Sequence, residues 1–184
     1  MKPTALLLID IQKGFENTAY WGGGRNNPEA EKKAALLLEH WRKMGWPLFH
    51  IKHCSTTPGS PLEPHQSGNE IQACVFPIEK EPVLEKKVNS GFIGTGLMEK
   101  LNDLGVSEII IAGLTTDHCI STTARMGANL GFKVKLVEDA CATFDKTGPK
   151  GEKYSAQLIH DTAIASLHQE FAEICSVEDI LSGD

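Results

Sequence analysis

The segment from Ile109 to Cys119 limits the possible folds more than any other part of the chain. Ile109 to Ala112 form a short apolar run, rich in β-branched residues, that is followed by Gly113, a tight turn and a helix start. Such a run is typical of a strand buried on both faces of a parallel sheet. Parallel α/β sheets carry reactive side chains at this junction. Cys119 is therefore either a reactive thiol, with its pKa lowered by the helix amino end, or an inert buried thiol.

Strand-like and helix-like segments alternate along the rest of the chain. Predicted strands lie at 4–9, 46–51, 82–87, 108–112, 132–137 and 171–174. Predicted helices begin at Asn27-Pro28, at Thr95 and in the turn that holds Cys119, and two more cover about 153–168 and 176–181. This alternation predicts an α/β fold with a parallel six-stranded sheet between helix layers, a Rossmann-like three-layer α/β/α architecture.

Length and composition narrow the class of protein. The 184 residues fit one domain, residues 1–184, with a sizeable core. The formal net charge of −6 gives no reason to expect a nucleic-acid or anionic-membrane partner. The five cysteines form no C-x-x-C pair, which favours free thiols in a reducing cytoplasm. The residues before Thr4 are too few for a signal peptide or a membrane span, so we expect a cytoplasmic protein.

Two connecting segments are predicted to lie over a site. The first, Lys13 to Asn27, places Phe15 and Trp21 beside three successive glycines, and it is either a loop that closes over a pocket or an ordinary surface loop with anchoring aromatics. The second, His53 to Ala73, is rich in proline, glycine and serine and is too long for a simple connection. A further polar loop is expected at 146–153.

Reactive side chains follow three of the predicted strands. Asp10 follows the first, Lys86 or Lys87 the third, and Cys119 the fourth, and such strand ends converge at one edge of a doubly wound sheet. A carboxylate can take the thiol proton, while an ammonium keeps the carboxylate charged and stabilises the thiolate. The thiolate can then attack a carbonyl, and the protonated acid can return its proton to a leaving amine. The N–H groups of Thr115 and Cys119 are candidate oxyanion donors.

In this order the motifs resemble the isochorismatase-like cysteine hydrolase family, also called the nicotinamidase/isochorismatase superfamily. The resemblance covers the chain from Leu6 to Asp139. The motifs that carry it are Asp10-Ile11-Gln12, Lys86 with Ser90-Gly91-Phe92 and Gly94-Thr95, and Gly113-Leu114-Thr115-Thr116-Asp117-His118-Cys119. The resemblance implies the isochorismatase-like hydrolase fold and no cofactor.

Residue by residue, the resemblance assigns a catalytic triad. It implies that Asp10 is the proton-transfer acid and base and that Cys119 is the nucleophile. Lys86 rather than Lys87 is the implied triad lysine, because the lysine of the family lies four positions before the serine, here Ser90. The resemblance also implies a cis peptide between Leu114 and Thr115 that directs the Thr115 N–H into the oxyanion hole.

One departure from the family concerns metal binding. Nicotinamidases of this family carry an Asp-x-His and a further histidine after the second strand, whereas this chain has Phe49-His50-Ile51-Lys52-His53 without an aspartate. Residues three apart on a strand point to opposite faces, so His50 and His53 are not expected to share an ion. We therefore expect no metal site. His50 is interpreted as a packed histidine. His53 is interpreted as a pocket wall residue and, like His118, Phe15 and Trp21, as a candidate substrate contact.

These observations favour an amidase-type C–N hydrolase that acts on a small molecule through a Cys-Asp-Lys triad and a thioester. Isochorismatase-type vinyl-ether hydrolysis is the alternative, since family members with that chemistry rely on the aspartate and do not need the thiol. A non-catalytic family member is a third possibility. The resemblance further implies a homo-oligomer, either a dimer or an assembly of dimers. The four cysteines other than Cys119 are interpreted as structural.

Overall fold

A computed structural model describes residues 3–183; Met1, Lys2 and Asp184, which belong to the predicted domain 1–184, lie outside the described residues. The strands are β1 (Thr4–Ile9), β2 (Leu48–His53), β3 (Val83–Lys86), β4 (Glu108–Leu114), β5 (Lys133–Ala142), β6 (Lys146–Thr147), β7 (Lys153–Tyr154) and β8 (Glu173–Cys175). The helices are α1 (Thr18–Trp21), α2 (Ala30–Met44), α3 (Leu97–Asp103), α4 (Ser121–Asn129), α5 (Ala156–Leu167) and α6 (Val177–Ser182). Between residues 3 and 183 no helix has both the length and the apolarity to cross a bilayer.

The central sheet has six parallel strands in the order β3-β2-β1-β4-β5-β8, with helices on both faces, and the predicted α/β fold is confirmed. β1 lies in the middle and pairs with β2 on one side and with β4 on the other. The order of strands along the chain reverses between β1 and β4. Ligands of doubly wound sheets bind outside the carboxyl ends of the strands at such a reversal.

Each face of the sheet has its own hydrophobic core, and β1 contributes to both. Leu6 and Leu8 point to the core that contains Trp41 of α2 and Ile180 of α6. Ala5, Leu7 and Ile9 point to the opposite core, which contains side chains of α3, α4 and α5. This alternation explains why the apolar run is continuous, since successive side chains leave a strand on opposite faces and both faces are covered.

The predicted start of the long helix at Asn27-Pro28 is wrong, because α2 begins at Ala30. Asn27 adopts a left-handed backbone with φ of 41°, and its side-chain amide donates to the carbonyls of Glu138 and Cys141 at 3.1 and 2.7 Å. The amide therefore binds the end of β5 and does not cap α2. Composition around Asn27-Pro28 gives no sign of this long-range contact.

Other boundaries also differ from the predictions. α3 begins at Leu97 after the N-cap Gly96, not at Thr95; β4 continues to Leu114, and β8 covers Glu173–Cys175. β2 is shifted by two residues toward the carboxyl end, which places His53 within the strand. β5 continues to Ala142, because an irregularity opposite Ile111 and Gly113 lets the strand resume pairing beyond its polar residues. The predicted polar loop 146–153 contains the antiparallel pair β6–β7, and α5 begins only at Ala156, after the N-cap Ser155.

Gly113 allows β1 and β4 to approach closely where the site begins. Its φ is 134°, and a Cβ atom at this position would lie 1.9 Å from the Ile9 carbonyl oxygen. No side chain fits without separating the two central strands. Gly105 also has a positive φ, 66°, but a Cβ atom there would meet open space. A substitution at Gly105 therefore measures the effect of backbone conformation alone.

We expect Gly113→Ala to lower the free energy of unfolding by about 3 kcal/mol or more, because backbone strain and overpacking act together. Gly105→Ala should cost only about 1–2 kcal/mol, the left-handed penalty by itself. Urea unfolding of the parent and both variants measures the difference. Equal losses in the two variants would contradict the close approach of β1 and β4.

Candidate active site

The ends of three strands bring a carboxylate, an ammonium and a thiol into contact. The Lys86 Nζ lies 2.6 Å from Asp10 Oδ2 and 3.2 Å from Cys119 Sγ. The side chains of Lys86 and Asp10 have no solvent exposure, whereas Lys87 is exposed. The structure thus places Lys86 in the site, as the spacing to Ser90 predicted.

The local backbone turns Asp10 and Cys119 toward each other. Asp10 leaves β1 in a left-handed conformation with φ of 53°, and its N–H donates to the carbonyl of Ile51 at 2.8 Å. Cys119 lies in a π-helical turn, Thr116–Ile120, in which the Ile120 N–H donates to the Thr115 carbonyl at 3.2 Å. The peptide between Leu114 and Thr115 is cis, as the family resemblance implied.

Burial and neighbouring charges shift the pKa values of Cys119 and Lys86. Burial raises the pKa of the Cys119 thiol, and the Asp10 carboxylate raises it further against the opposing effect of Lys86. Burial also disfavours the charged form of Lys86, but Asp10 and Cys119 outweigh it and the pKa of Lys86 is raised. In the resting site the Lys86 ammonium is therefore charged and the Cys119 thiol is neutral. The lowered thiol pKa considered from the sequence is not found, since burial and Asp10 together outweigh Lys86.

A pocket of about 120 Å³ opens onto Cys119. Its lining includes all four residues predicted as substrate contacts, Phe15, Trp21, His53 and His118, together with Asp10, Thr115 and Cys119. It also includes Leu62, Asn89 and Lys146, which sequence reasoning missed. Phe15, Trp21 and Leu62 come from the two segments that were predicted to lie over a site. The signal in the sequence that could have identified Asn89 is its position three residues after the triad lysine.

Asp117 organises the polar side of this pocket. Its Oδ1 accepts a hydrogen bond from Thr143 Oγ1 at 2.5 Å, and its Oδ2 lies 3.4 Å from both His118 Nε2 and Lys146 Nζ. Burial alone would raise the pKa of Asp117, but the Thr143 hydrogen bond and these neighbouring groups hold the pKa below its usual range. A charged Asp117 therefore keeps His118 and Lys146 beside the pocket.

The glycine-rich segment packs against Asp145, the residue next to β6. A Cβ atom on Gly22 would lie 2.0 Å from the Asp145 carbonyl oxygen, and the Gly24 N–H donates to Asp145 Oδ2 at 3.1 Å. The other carboxylate oxygen accepts from the Ala156 N–H at 2.7 Å, at the start of α5. The glycines thus form a seam between the segment that carries Trp21 and the hairpin that carries Lys146.

With the geometry in place, the chain can be compared with known proteins. Residues 4–179 match the family model of the isochorismatase domain. The chain belongs to the isochorismatase family. It is 40% identical over 178 residues to the isochorismatase family protein YrdC of Bacillus subtilis, which covers 97% of this chain and 94% of YrdC.

Two further relatives of this isochorismatase-family chain are informative. A crystal structure of an isochorismatase-family protein from Chromobacterium violaceum has a TM-score of 0.94 and 42% sequence identity, and the match covers 99% of this chain and 93% of that one. A streptothricin hydrolase of Streptomyces noursei is 33% identical over 172 residues, which is 92% of this chain and 58% of that protein. The family is thus one of hydrolases.

The two histidines of β2 lie in different surroundings within this isochorismatase-family chain. His50 is buried, and its Nε2 lies 2.9 Å from Glu81 Oε2, so it is a packed histidine as predicted. His53 reaches the site, where one potential ligand atom each from Asp10, His53 and Cys119 lie within 4.8 Å of one another. The Lys86 ammonium lies 2.6–3.2 Å from these three groups. A divalent cation there would be repelled by the ammonium at short range.

The remaining cysteines are not paired. Cys54, Cys141 and Cys175 are buried, in agreement with a structural role, whereas Cys74 is exposed. Burial raises the pKa of the Cys141 thiol to about 12, and it also raises the pKa values of the Cys54 and Cys175 thiols. None of these residues reaches the pocket beside Cys119.

We expect the purified protein to hold no stoichiometric zinc, iron or manganese, because Lys86 supplies the positive charge among the candidate ligands. Elemental analysis of protein purified without chelator, and again after dialysis against a chelator, measures this directly. Lys86→Met is the informative variant, since it removes the ammonium and leaves Asp10, His53 and Cys119. One equivalent of metal in the parent protein would contradict the prediction.

Proposed function

We propose that the protein hydrolyses a C–N bond of a small amide through a thioester on Cys119. The observation that carries the proposal is the buried Lys86 ammonium in contact with both Asp10 and Cys119. This contact joins a nucleophile, a proton acceptor and a fixed positive charge at one end of a pocket. The hydrolase family to which the chain belongs supports the same class of reaction.

Acylation begins from the neutral thiol. As Cys119 Sγ attacks the amide carbonyl carbon, its proton passes to Asp10, whose Oδ1 has no hydrogen-bond partner within residues 3–183. The N–H groups of Thr115 and Cys119 stabilise the carbonyl oxygen as it becomes an oxyanion. Protonated Asp10 then gives the proton to the leaving nitrogen, the C–N bond breaks, and an amine or ammonia departs from the thioester.

Deacylation repeats these steps with water as the nucleophile. Asp10 takes a proton from a water molecule that attacks the thioester carbonyl, and the tetrahedral intermediate collapses with cleavage of the C–S bond. The proton returns to Cys119, and the carboxylic acid product leaves. Lys86 transfers no proton in this scheme; its raised pKa keeps it charged, and it stabilises negative charge first on Asp10 and then on sulfur.

Pocket size limits the substrate. The pocket of about 120 Å³ is well below the roughly 300–1,000 Å³ of pockets that hold drug-sized ligands. Phe15, Trp21 and Leu62 form its apolar side, and Asn89 and Lys146 are polar groups that can orient a substrate. We therefore propose substrates with a short or planar acyl group.

Isochorismatase-type vinyl-ether hydrolysis is the second candidate function, because the same buried Asp10, once it has taken up a proton, could give that proton to the vinyl ether without a covalent intermediate. The two reactions differ in their need for sulfur. Cys119→Ala abolishes the amidase reaction and leaves an aspartate-driven reaction in place.

The direct test combines an ammonia-release assay on a panel of small primary amides with intact-mass detection of an acyl adduct after rapid acid quench. We expect turnover, an adduct that maps to Cys119, and loss of both in Cys119→Ala. Pyruvate release from isochorismate is measured in parallel. Pyruvate release that survives in Cys119→Ala, with no amide turned over, would replace the proposal by the second candidate.

A matched pair of variants tests the assignment of the lysine. We expect Lys86→Ala to lower turnover by about 10²–10⁴-fold, because a positioned charge is lost at the reacting sulfur, and Lys87→Ala to stay within about threefold. Lys86→Ala also strands a buried carboxylate, at about 3–5 kcal/mol in stability. The double variant Asp10→Asn/Lys86→Met is the control for folding, since it should regain stability but not turnover. An inactive Lys87→Ala beside an active Lys86→Ala would contradict the assignment.

A further inference from the structure

His53 and Lys86 are neighbours across two parallel strands. The register of β2 and β3 pairs His53 directly with Lys86, so their side chains leave the sheet side by side on the same face. His53 Nδ1 lies 3.2 Å from Lys86 Nζ. His53, interpreted from sequence as a pocket wall residue, therefore also contacts the triad lysine.

The hydrogen bonds of the Lys86 ammonium are complete only when His53 is counted. An ammonium has three N–H donors and no acceptor. Asp10 Oδ2 accepts one at 2.6 Å and Cys119 Sγ accepts one at 3.2 Å. Because the Lys86 side chain has no solvent exposure, bulk water does not reach it, and His53 Nδ1 is the acceptor for the third donor.

The backbone of His53 is held by buried carboxamides. The Gln12 side chain, which is fully buried, accepts a hydrogen bond from the His53 N–H at 2.8 Å and donates to the His53 carbonyl at 3.0 Å. The Asn69 side chain donates to the same carbonyl at 2.9 Å. These hydrogen bonds fix the backbone from which the imidazole extends. They also give Gln12 of the Asp10-Ile11-Gln12 motif a physical function in this chain.

We propose that His53 is a positioning residue for Lys86: its Nδ1 accepts the third N–H of the ammonium and so keeps the other two directed at Asp10 and Cys119. The proposal rests on the triad of the proposed function. Nδ1 can accept only when the ring proton is on Nε2, and the backbone of Val88 is a further hydrogen-bond partner of the ring. A proton on both nitrogens would place a second cation 3.2 Å from the ammonium and end the contact.

The titratable groups that face the ring are Lys86 on β3, Asp10 after β1 and Cys119 in the turn before α4. Burial and then Lys86 lower the pKa of His53 below 6.5, while Asp10 and the Val88 backbone oppose this shift. The ring is therefore neutral and accepting at pH 7, and the contact is lost as the pH falls below this lowered pKa.

The experiment follows the reactivity of Cys119 toward iodoacetamide by peptide mass spectrometry, which needs no substrate. His53→Leu removes the acceptor. His53→Asn keeps one, because its Oδ1, like Nδ1, is bonded to Cγ, and it does not titrate. His65→Asn, on an exposed loop histidine, is the matched control, and thermal melts of all variants establish folding.

We expect alkylation of Cys119 at about pH 7.5 to slow by about 10- to 100-fold in His53→Leu, the effect of losing a hydrogen bond to a charged group. His53→Asn and His65→Asn should stay within about threefold of the parent. As the pH is lowered through the depressed pKa of His53, the parent should slow more steeply than His53→Asn, because only the parent has a ring to protonate. If the substrate of the enzyme is known, the loss in His53→Leu should fall on kcat and not on KM.

Parent-like alkylation in His53→Leu would overturn the proposal, and so would equal loss in the leucine and asparagine variants, since that result assigns the effect to ring volume. A change confined to KM would make His53 a substrate contact alone. A failure of the proposed function gives a different pattern, because absence of amide turnover leaves the alkylation comparison intact. If His53→Leu does not fold, His53→Ala, which also lacks an acceptor, takes its place beside His53→Asn: parent-like alkylation in His53→Ala overturns the proposal.

Discussion

The ion pair between Lys86 and Asp10 is the interaction on which the site depends. Two opposite charges without solvent exposure are costly to bury, and their attraction offsets that cost only when geometry and hydrogen bonding are good. Here a 2.6 Å contact provides the geometry, and Cys119 and His53 accept the remaining ammonium donors. The thiol and the imidazole thus take the place of water as hydrogen-bond acceptors for a buried cation. The same contacts therefore determine both the stability of the site and its reactivity.

The sheet explains how distant parts of the chain reach this pair. Asp10 and Lys86 are separated by 76 positions, yet Asp10 follows β1 and Lys86 ends β3, so both lie at the carboxyl ends of parallel strands. Gly113 brings β1 and β4 together at the same level, and the π turn after β4 raises Cys119 to the ammonium. The two hydrophobic cores hold these strand ends in register, so the site needs no cross-link to keep its shape.

The fold was predictable from sequence because its strands are apolar runs and its helices are periodic, and both signals are local. The positions of Asp10, Lys86 and Cys119 were predictable because strand ends converge and because the motifs follow the order of the family. Protonation was not predictable, since the pKa of Cys119 depends on burial that no motif encodes. Lys146 and Leu62 were missed for a similar reason: each reaches the pocket from a connection whose path is set by tertiary contacts.

The seam between Gly22, Gly24 and Asp145 has a consequence for how substrate selectivity can change in this architecture. It joins the aromatic side of the pocket to the short hairpin that supplies the cationic side. Any side chain on Gly22, or any insertion that displaces Asp145, moves both sides at once. A substitution at this contact therefore changes the aromatic and the cationic sides of the pocket together, although the two segments lie far apart in sequence.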